Sequence, residues 1–598
     1  MDVLFVNNLN FSNSMVLDVP NAGILNLASI LKSNYTVEIF DLSYEQKKNA
    51  IILDNDYELF SNNLVDMILS YDARIIGFTT MCDTYPIVLD LAKKIKLRSS
   101  GTKIILGGPQ ASITAEETMR AFDFIDLIAI GESELNILSI VEALLSPATG
   151  SLHKLESIKN IVFRNDDYIV TNPKELLCID MSALPAVDDL FIGKYYEFIQ
   201  SYSIDVGRGC PYSCTFCCTN DMWNRKFRLK PIDKIIDEIR HINMKFGVKN
   251  FNFLHDLFTA NREVFLQFCE AIIQSGLDIT WGCSARIDTI DDDMIRSMAQ
   301  AKCTNIYLGI ETGSQRMQSL IKKKLPLEHV VPKVRVLKQN GLRVTCSFIF
   351  GFVDEGENDL LETLSLISEL IQIDVTNIQL HRFTPYPKTE ELDKVYDKLY
   401  FDTKNLNCHI IETRYLDNFG EMIAENKMLF SNFYEFDSDV RSLKWRSLDT
   451  FVASVRVMHK FFKCIYGIFF REYGNIANAY HQYSTWIDNE IRSIDVHNGL
   501  TNLPLVYQEK LIKVITRITE DLSETENKSL LSVMHEFGKD MFYFSVNEKC
   551  SEEIKEYPIN VVSLNIKGVD ANSSEIYERT RVRFTKDLNG KLNFRRVL

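Results

Sequence analysis

Along the first 150 residues, short apolar runs alternate with stretches patterned like helices. The runs predict strands at Val3–Asn7, Thr36–Asp41, Ile75–Thr79, Lys103–Leu106 and Leu127–Ile130. Helical patterns lie between them, among them Gly23–Lys32, Asn62–Ser70 and Tyr85–Lys96. Strands alternating with helices imply a parallel doubly wound, Rossmann-like α/β sheet. Ligands in such sheets sit beyond the carboxyl ends of the strands. Those ends carry Thr79-Thr80, Gly107-Gly108-Pro109-Gln110 and Gly131-Glu132.

Residues 151–198 read as a connector with a short hairpin, Asn160–Phe163 and Tyr168–Thr171 flanking Asn165-Asp166-Asp167. A second strand–helix alternation fills 199–395, with strands expected at Ser203–Val206, Asn250–Leu254, Ile279–Ser284, Asn305–Ile310, Arg343–Phe350 and Ile378–Arg382. Six such units make a partial (β/α)6 barrel, with chemistry at the carboxyl ends of its strands. Residues 396–598 are rich in helix formers and aromatics, predict amphipathic helices over Trp445–Phe461 and Phe462–Ala479, and end in a hairpin around Asn589-Gly590. The domains expected are therefore 1–150, 151–198, 199–395 and 396–598.

A length of 598 residues supports several cores, and the net charge of −15 argues against a nucleic-acid partner. No apolar stretch reaches membrane-spanning length, and the first residues lack the pattern of a signal peptide, so a cytoplasmic protein without a membrane partner is expected. Thirteen cysteines scattered through a long chain do not form a secreted disulfide framework. A tight cysteine cluster in a reducing compartment points instead to metal.

That cluster reads Gly207-Arg208-Gly209-Cys210-Pro211-Tyr212-Ser213-Cys214-Thr215-Phe216-Cys217-Cys218. Thiolates spaced C-x3-C-x2-C can wrap one loop around a cubane cluster, each taking one iron and leaving the fourth open. Structural zinc is the bland alternative, but it asks for four closed ligands, usually as two spaced pairs. Cys218 is adjacent to Cys217 and poorly placed to be a fourth ligand. Buried inert thiols are the remaining reading.

The segment Cys210–Cys217, with an aromatic residue before its last cysteine, resembles the signature of the radical S-adenosylmethionine superfamily. The resemblance implies a [4Fe–4S] cluster on Cys210, Cys214 and Cys217, with S-adenosylmethionine on the open iron as the source of a 5′-deoxyadenosyl radical. Gly309-Ile310-Glu311-Thr312-Gly313-Ser314, Ser347–Phe352 and His381–Pro387 are similar to the family's fourth, fifth and sixth strand segments. By that likeness Phe216, Ser284, Arg286, Glu311, Ser347 and Pro385 border S-adenosylmethionine. Each has a plainer alternative, since Glu311 can satisfy a strand-end amide and Arg286 can pair with Asp288. The second strand ends Phe253-Leu254-His255-Asp256, without the glycine–glycine–glutamate common in the superfamily.

The first 150 residues resemble the cobalamin-binding domain fused ahead of the radical domain in one large subfamily. The match runs through Pro20-Asn21-Ala22-Gly23, Val37–Asp41, Gly77–Thr80, Gly107–Ser112 and Gly131-Glu132-Ser133-Glu134. It implies that Thr79, Thr80, Gly107, Gly108, Pro109, Gln110, Gly131 and Glu132 border cobalamin, the glycines letting backbone approach a large ligand. A dinucleotide is disfavoured because no G-x-G-x-x-G follows the first strand, and a domain binding nothing or another ligand is the remaining alternative. The D-x-H-x-x-G motif that donates a histidine to cobalt is missing, and no histidine precedes His153. The loop Met81–Tyr85 is expected near the lower face, with Cys82 or Tyr85 touching the cobalt environment.

The resemblance implies a cobalamin-dependent radical S-adenosylmethionine enzyme, foremost a C-methyltransferase acting on a natural-product intermediate or ribosomal peptide. An external electron donor of flavodoxin or ferredoxin type is the implied partner. Radical cyclisation or rearrangement without methyl transfer is the rival, and a cobalamin-binding redox sensor is the non-enzyme alternative. Arg441, Lys444, Arg446, Arg456 and Lys460 read as a solvated helix face or a receiver for an acidic substrate. His409, His459 and His481 lack metal-ligand spacing and are expected to be structural.

Overall fold

The computed structural model describes residues 1–7, 9, 21–51, 54, 56–147, 153–166, 168–175, 179–402, 415, 417–442, 447–490, 505–522, 528–546, 552–557, 580–586 and 592–597. Pro20, Asp167, His409, Lys444, Trp445, Arg446 and the Asn589-Gly590 turn lie outside the described residues. The chain forms two compact units, Met1–Ile306 with Ile321–Lys323 and Thr384–Phe436, and Tyr307–Leu320 with Lys324–Phe383 and Asp437–Leu598.

In the first unit, β1 (Val3–Val6) is buried at every position, as a central strand covered on both faces must be. It pairs in parallel with β2 (Val37–Phe40) and with β3 (Ile75–Thr79), which is followed by β4 (Lys103–Gly107) and β5 (Leu127–Ala129). The order β2-β1-β3-β4-β5 reverses direction between β1 and β3. At such a switch point neighbouring crossovers diverge and open a crevice beyond the strands' carboxyl ends.

Side-chain caps set the helix starts. The helix expected from Asn62 begins at Tyr57, because the Asp56 carboxylate accepts the Glu58 and Leu59 amides. Asn21 and Asp41 cap the helices Ala22–Leu31 and Leu42–Lys47 in the same way.

The hairpin in the expected connector is present as β6 (Ile161–Asn165) and β7 (Tyr168–Thr171). It joins the front sheet, β6 pairing antiparallel with β5. This pairing covers an apolar edge that Leu127–Ala129 would otherwise expose.

The second sheet contains β8 (Ser201–Asp205), β11 (Asn250–Leu254), β12 (Thr280–Ala285), β13 (Cys303–Glu311), β14 (Arg343–Phe350) and β15 (Asn377–Arg382). They lie in simple sequential order, and the pairs β8·β11, β11·β12 and β14·β15 are parallel. Sequential parallel strands with β8 and β15 at the two edges are the pattern of an open (β/α)6 barrel. Between β8 and β11 a two-residue antiparallel ladder joins β9 (Gly207–Arg208) to β10 (Arg228–Leu229).

In the second unit, the helix Leu448–Phe461 is not amphipathic as expected: it is buried on nearly every side. Arg456 is neither a solvated face nor a receiver of substrate. The residue is 7% exposed, and its guanidinium donates to the Ile378 carbonyl of β15 at 2.8 Å and to the Thr376 carbonyl at 3.4 Å. Burial lowers its pKa to about 10. The single helix expected over Phe462–Ala479 is two, Lys463–Tyr473 and Ile476–Glu490. Gly474 takes a left-handed φ of 73° between them, and the Asn475 side chain accepts the Asn478 amide. His459 packs edge-on against Tyr466, and His481 lies 3.7 Å from Glu357. The C-terminal hairpin strands pair as β17 (Thr580–Lys586) and β18 (Leu592–Val597), with β16 (Glu552–Tyr557) on the other edge of β17. Among the described residues no helix is long and apolar enough to cross a membrane.

Arg456→Ala strips donors from β15 and leaves a cavity, so it should cost about 2–4 kcal/mol of stability. Thermal unfolding of the full chain checks this.

Candidate active site

The cysteine loop hangs from the β9–β10 ladder, which brings its two ends together. Glycine is required at both positions flanking Arg208. A side chain at Gly207 would run into the Arg228 carbonyl and His255, and one at Gly209 into the Lys226 carbonyl. Gly209 also adopts a left-handed φ of 90°, and its amide donates to Asp256 at 2.7 Å. Cys210, Cys214, Cys217 and Cys218 are all half-buried and reduced. Within the loop the Cys217 amide donates to the Cys214 carbonyl, and Cys217 Sγ lies 2.9 Å from Thr219 Oγ1.

Thr215, buried between the second and third cysteines, is held on three sides. Its amide donates to the Ile321 carbonyl, its carbonyl accepts the Glu391 amide, and its hydroxyl donates to Glu391 Oε1 at 2.8 Å. Arg286 lies 3.7 Å over the Tyr212 ring, forms a bidentate pair with Asp288 and donates to the Lys323 carbonyl at 2.7 Å. Its plainer alternative, the Asp288 pair, is thus present, and it braces the same loop. Burial pushes the Cys210 thiol up, with Cys217 and Asp256 adding to the rise and Arg286 opposing it.

Among the described residues no three His, Cys, Asp or Glu side chains converge as ligands of a single ion. A cubane does not ask them to, because it spreads its thiolates over separate irons. Three half-buried thiols on one bracketed loop are a donor set that fits it.

A buried ionic cluster roots this loop in the front sheet. Arg208, 8% exposed, donates to Glu134 at 2.6 Å and to Asp205 at 2.8 Å, with Glu132 3.5 Å away. Arg228 donates to that same Glu132 oxygen, Oε2, at 3.1 Å and also to Oε1, and the Ile179 amide donates to Oε2 at 3.0 Å. The Glu132 carboxylate, expected to border a cofactor, is spent on this cluster. Its neighbour His255 accepts the Leu257 amide at Nδ1, which leaves its proton on Nε2, facing the Arg228 carbonyl. Burial lowers the His255 pKa to about 4.

At the carboxyl ends of the front strands, the expected residues divide by role. Thr80 is fully buried, donates to the Gly107 carbonyl and accepts the Ala111 amide, so it ties β3 to β4. Gly108 has a packing reason to be glycine. Its φ is 90°, and a Cβ there would meet Thr79 Oγ1 and the Thr80 amide at 2.9 Å. Pro109 opens the short helix Pro109–Ile113, and Gln110 is buried with its amide on the Leu429 carbonyl.

Gly107 and Gly131 face open space, with nothing within 4 Å of a Cβ built on either. The Ser112 hydroxyl holds the Gly131 amide at 3.0 Å. In the loop after β3, Met81 is 38% exposed, Cys82 is half-buried, and Asp83 is buried with Oδ1 unpartnered. Burial raises the Asp83 carboxyl pKa. Two open glycine faces and an orphaned buried carboxylate oxygen fit a large ligand edged with amides. Tyr85 does not reach that space. It is fully buried with its hydroxyl on Thr118 at 2.7 Å.

Of the remaining expected residues, half-buried Phe216, exposed Ser284 and buried Pro385 belong to the first unit. Glu311 and Ser347 belong to the second. Glu311 ends β13 at a left-handed φ of 67°, a costly conformation for a non-glycine residue. Ser347 is buried and hydrogen-bonded to Tyr307. Sequence reading passed over Arg208, although it stands between the two glycines of the motif. It also passed over Thr215, Glu391 and Asn432, where no local pattern marks a role.

Residues 12–140 match the B12 binding domain, and 204–367 match the Radical SAM superfamily. The chain is 28% identical to an uncharacterized methyltransferase of Pyrococcus horikoshii over 62% of its own length and 77% of the relative's. It is 25% identical to an anaerobic magnesium-protoporphyrin IX monomethyl ester cyclase of Cereibacter sphaeroides, over 51% of its length and 50% of the relative's. In fold it is similar to the cobalamin-dependent S-adenosylmethionine radical enzyme OxsB solved with aqua-cobalamin and S-adenosylmethionine. That match has a TM-score of 0.57 at 15% identity and covers 91% of this chain and 84% of that one.

The open parallel barrel with its cysteine loop is that of a radical S-adenosylmethionine enzyme. With a B12 binding domain matched over residues 12–140 ahead of it, the chain carries the two domains of a cobalamin-dependent radical S-adenosylmethionine enzyme, and the cofactors these domains imply are a [4Fe–4S] cluster, S-adenosylmethionine and cobalamin.

Two outcomes follow from the loop and its root. Gly209→Ala should prevent closure of the β9–β10 ladder, and anaerobic reconstitution should then recover only a minor part of the wild-type iron and sulfide. His255 is neutral in the folded protein and takes up a proton when unfolded, near pH 6.5. Its contribution is therefore present above about pH 6.5 and lost as pH falls from there through about 4. His255→Gln should flatten the acid limb of the stability–pH curve over that window.

Proposed function

We propose that this chain is a C-methyltransferase acting on an unactivated carbon of a small natural-product intermediate or ribosomal peptide. Cys210, Cys214 and Cys217 hold the cluster, and Phe216, Ser284, Arg286, Glu311, Ser347 and Pro385 border S-adenosylmethionine. Thr79, Gly107 and Gly131 border cobalamin, with Thr80, Gly108, Pro109, Gln110 and Glu132 shaping that border from behind. An external donor of flavodoxin or ferredoxin type supplies electrons.

When bound, the cluster and S-adenosylmethionine supply a hydrogen-abstracting radical, and cobalamin supplies a transferable methyl group. The chain's own residues place and shield these groups. The β9–β10 ladder, Thr215 and the Arg286–Tyr212 stack fix the thiols, and the open faces of Gly107 and Gly131 leave room for a planar ligand. The observation that carries the reading is that one compact unit holds both the thiol loop and the open glycine faces.

The name of the Pyrococcus relative supports methyl transfer, and that of the Cereibacter relative favours the rival, radical cyclisation without methyl transfer.

Two variants should fail differently. Cys214→Ala should abolish 5′-deoxyadenosine formation, and replacing all three cysteines by Ala should remove the iron. Gly107→Phe fills open space without straining φ, so it should spare the iron and much of the 5′-deoxyadenosine while cobalamin uptake falls. With substrate, the wild-type protein should release S-adenosylhomocysteine and a product gaining one methyl. A product that gains none, with no S-adenosylhomocysteine, sinks methyl transfer and promotes cyclisation.

A further inference from the structure

We propose that the segment Leu429–Asn432 is a strap that sets the loop Met81–Asp83 against the lower face of cobalamin, with Asn432 as its positioning residue. The inference rests on the reading of the β3–β5 ends as the cobalamin site. Asn432 is fully buried, and its Nδ2 donates to the Cys82 carbonyl at 3.2 Å across 350 residues of sequence. Three residues back, the Leu429 carbonyl accepts the Gln110 amide at 2.8 Å. The ring of Phe430 lies 6.0 Å from that of Tyr85, which follows the loop. Ser431 Oγ donates to the Pro385 carbonyl at 2.7 Å, anchoring the strap from behind. Four successive residues thus each make an anchor, two of them to the loop and its helix and one to the neighbouring β4 end.

The loop needs such a hold. Thr80 before it is pinned to β4, and Thr84 after it is buried as the helix Tyr85–Arg98 begins. Asn432 holds the carbonyl in the middle. With both ends fixed, the Asn432 amide adds a hold on the carbonyl at the centre of the loop. No histidine stands in this loop, so what approaches the cobalt from below is decided by where the backbone puts a thioether, a thiol and a carboxyl. Asn432 touches no cofactor in this account and acts through the loop.

Asn432→Asp is nearly isosteric but turns an acceptor toward the Cys82 carbonyl. The full-length reconstituted protein, titrated anaerobically with hydroxocobalamin and then reduced to the cob(II)alamin state, tests the idea. The variant should bind about tenfold more weakly, as expected for one buried hydrogen bond turned repulsive. Its electron paramagnetic resonance spectrum should show a changed cobalt hyperfine pattern, with iron and sulfide content equal to wild type. A spectrum identical to wild type in an iron-replete variant overturns the proposal, whatever the affinity.

If Asn432→Asp fails to fold, Gln110→Glu, which loosens the same strap at Leu429, is read by the same spectrum and decides on the same terms. Gly107→Phe separates the two levels. If it leaves cobalamin binding unchanged, the site reading itself fails. If it blocks binding while both strap variants keep the wild-type spectrum, only the strap fails.

Discussion

One guanidinium fixes where the chemistry of this protein stands. Arg208 is two residues before the first cysteine and is buried among Asp205, Glu132 and Glu134. Its pKa is raised by these carboxylates against the opposing effect of burial. A charge this deep is tolerated only because it is paired, and removing one partner from such a group typically costs about 3–5 kcal/mol. Arg228 closes the cluster from the other strand of the β9–β10 ladder. The root of the thiol loop is thereby bonded to the last turn of the front sheet's ligand edge. Glutamates that look like cofactor residues in sequence serve instead to set one region against another.

The glycines sort by the same kind of argument. Gly207, Gly209 and Gly108 are glycine because a side chain would strike protein, and the last two also because φ is strongly positive. Gly107 and Gly131 differ, since nothing of the protein fills the space their side chains would take. Close packing makes unfilled, backbone-lined space unusual inside a fold. Gly131 also has a φ of 71°, whereas at Gly107 neither packing nor backbone conformation requires a glycine. Paired glycines in one motif therefore do opposite work, Gly107 leaving a gap and Gly108 closing one.

Much of the architecture was legible from local pattern. Strands β3, β11 and β14 begin and end at the expected residues, and the remaining barrel strands differ by at most two residues at either end. Errors fell where a local rule had a local competitor. Asp56 pulled a helix start forward by five residues, and Gly474 split one expected helix into two. The helix Leu448–Phe461 was misjudged for a different reason. Its charged residue Arg456 suggested a wet face, but buried strand carbonyls can hold a guanidinium as water does.

The sequence by itself determined the thiol loop, the order of the two α/β sheets and the missing histidine, because each depends on residues within one turn, strand or loop of one another. Periodicity and spacing are local properties, and backbone sterics convert them directly into elements. Only the tertiary structure decided which of the polar side chains are spent on holding the scaffold together. Glu132 meets Arg228 across 96 residues, Gln110 meets Leu429 across 319 and Asn432 meets Cys82 across 350. No periodicity records such pairs, since they form only when packing brings distant segments together and each buried polar group must find a partner there.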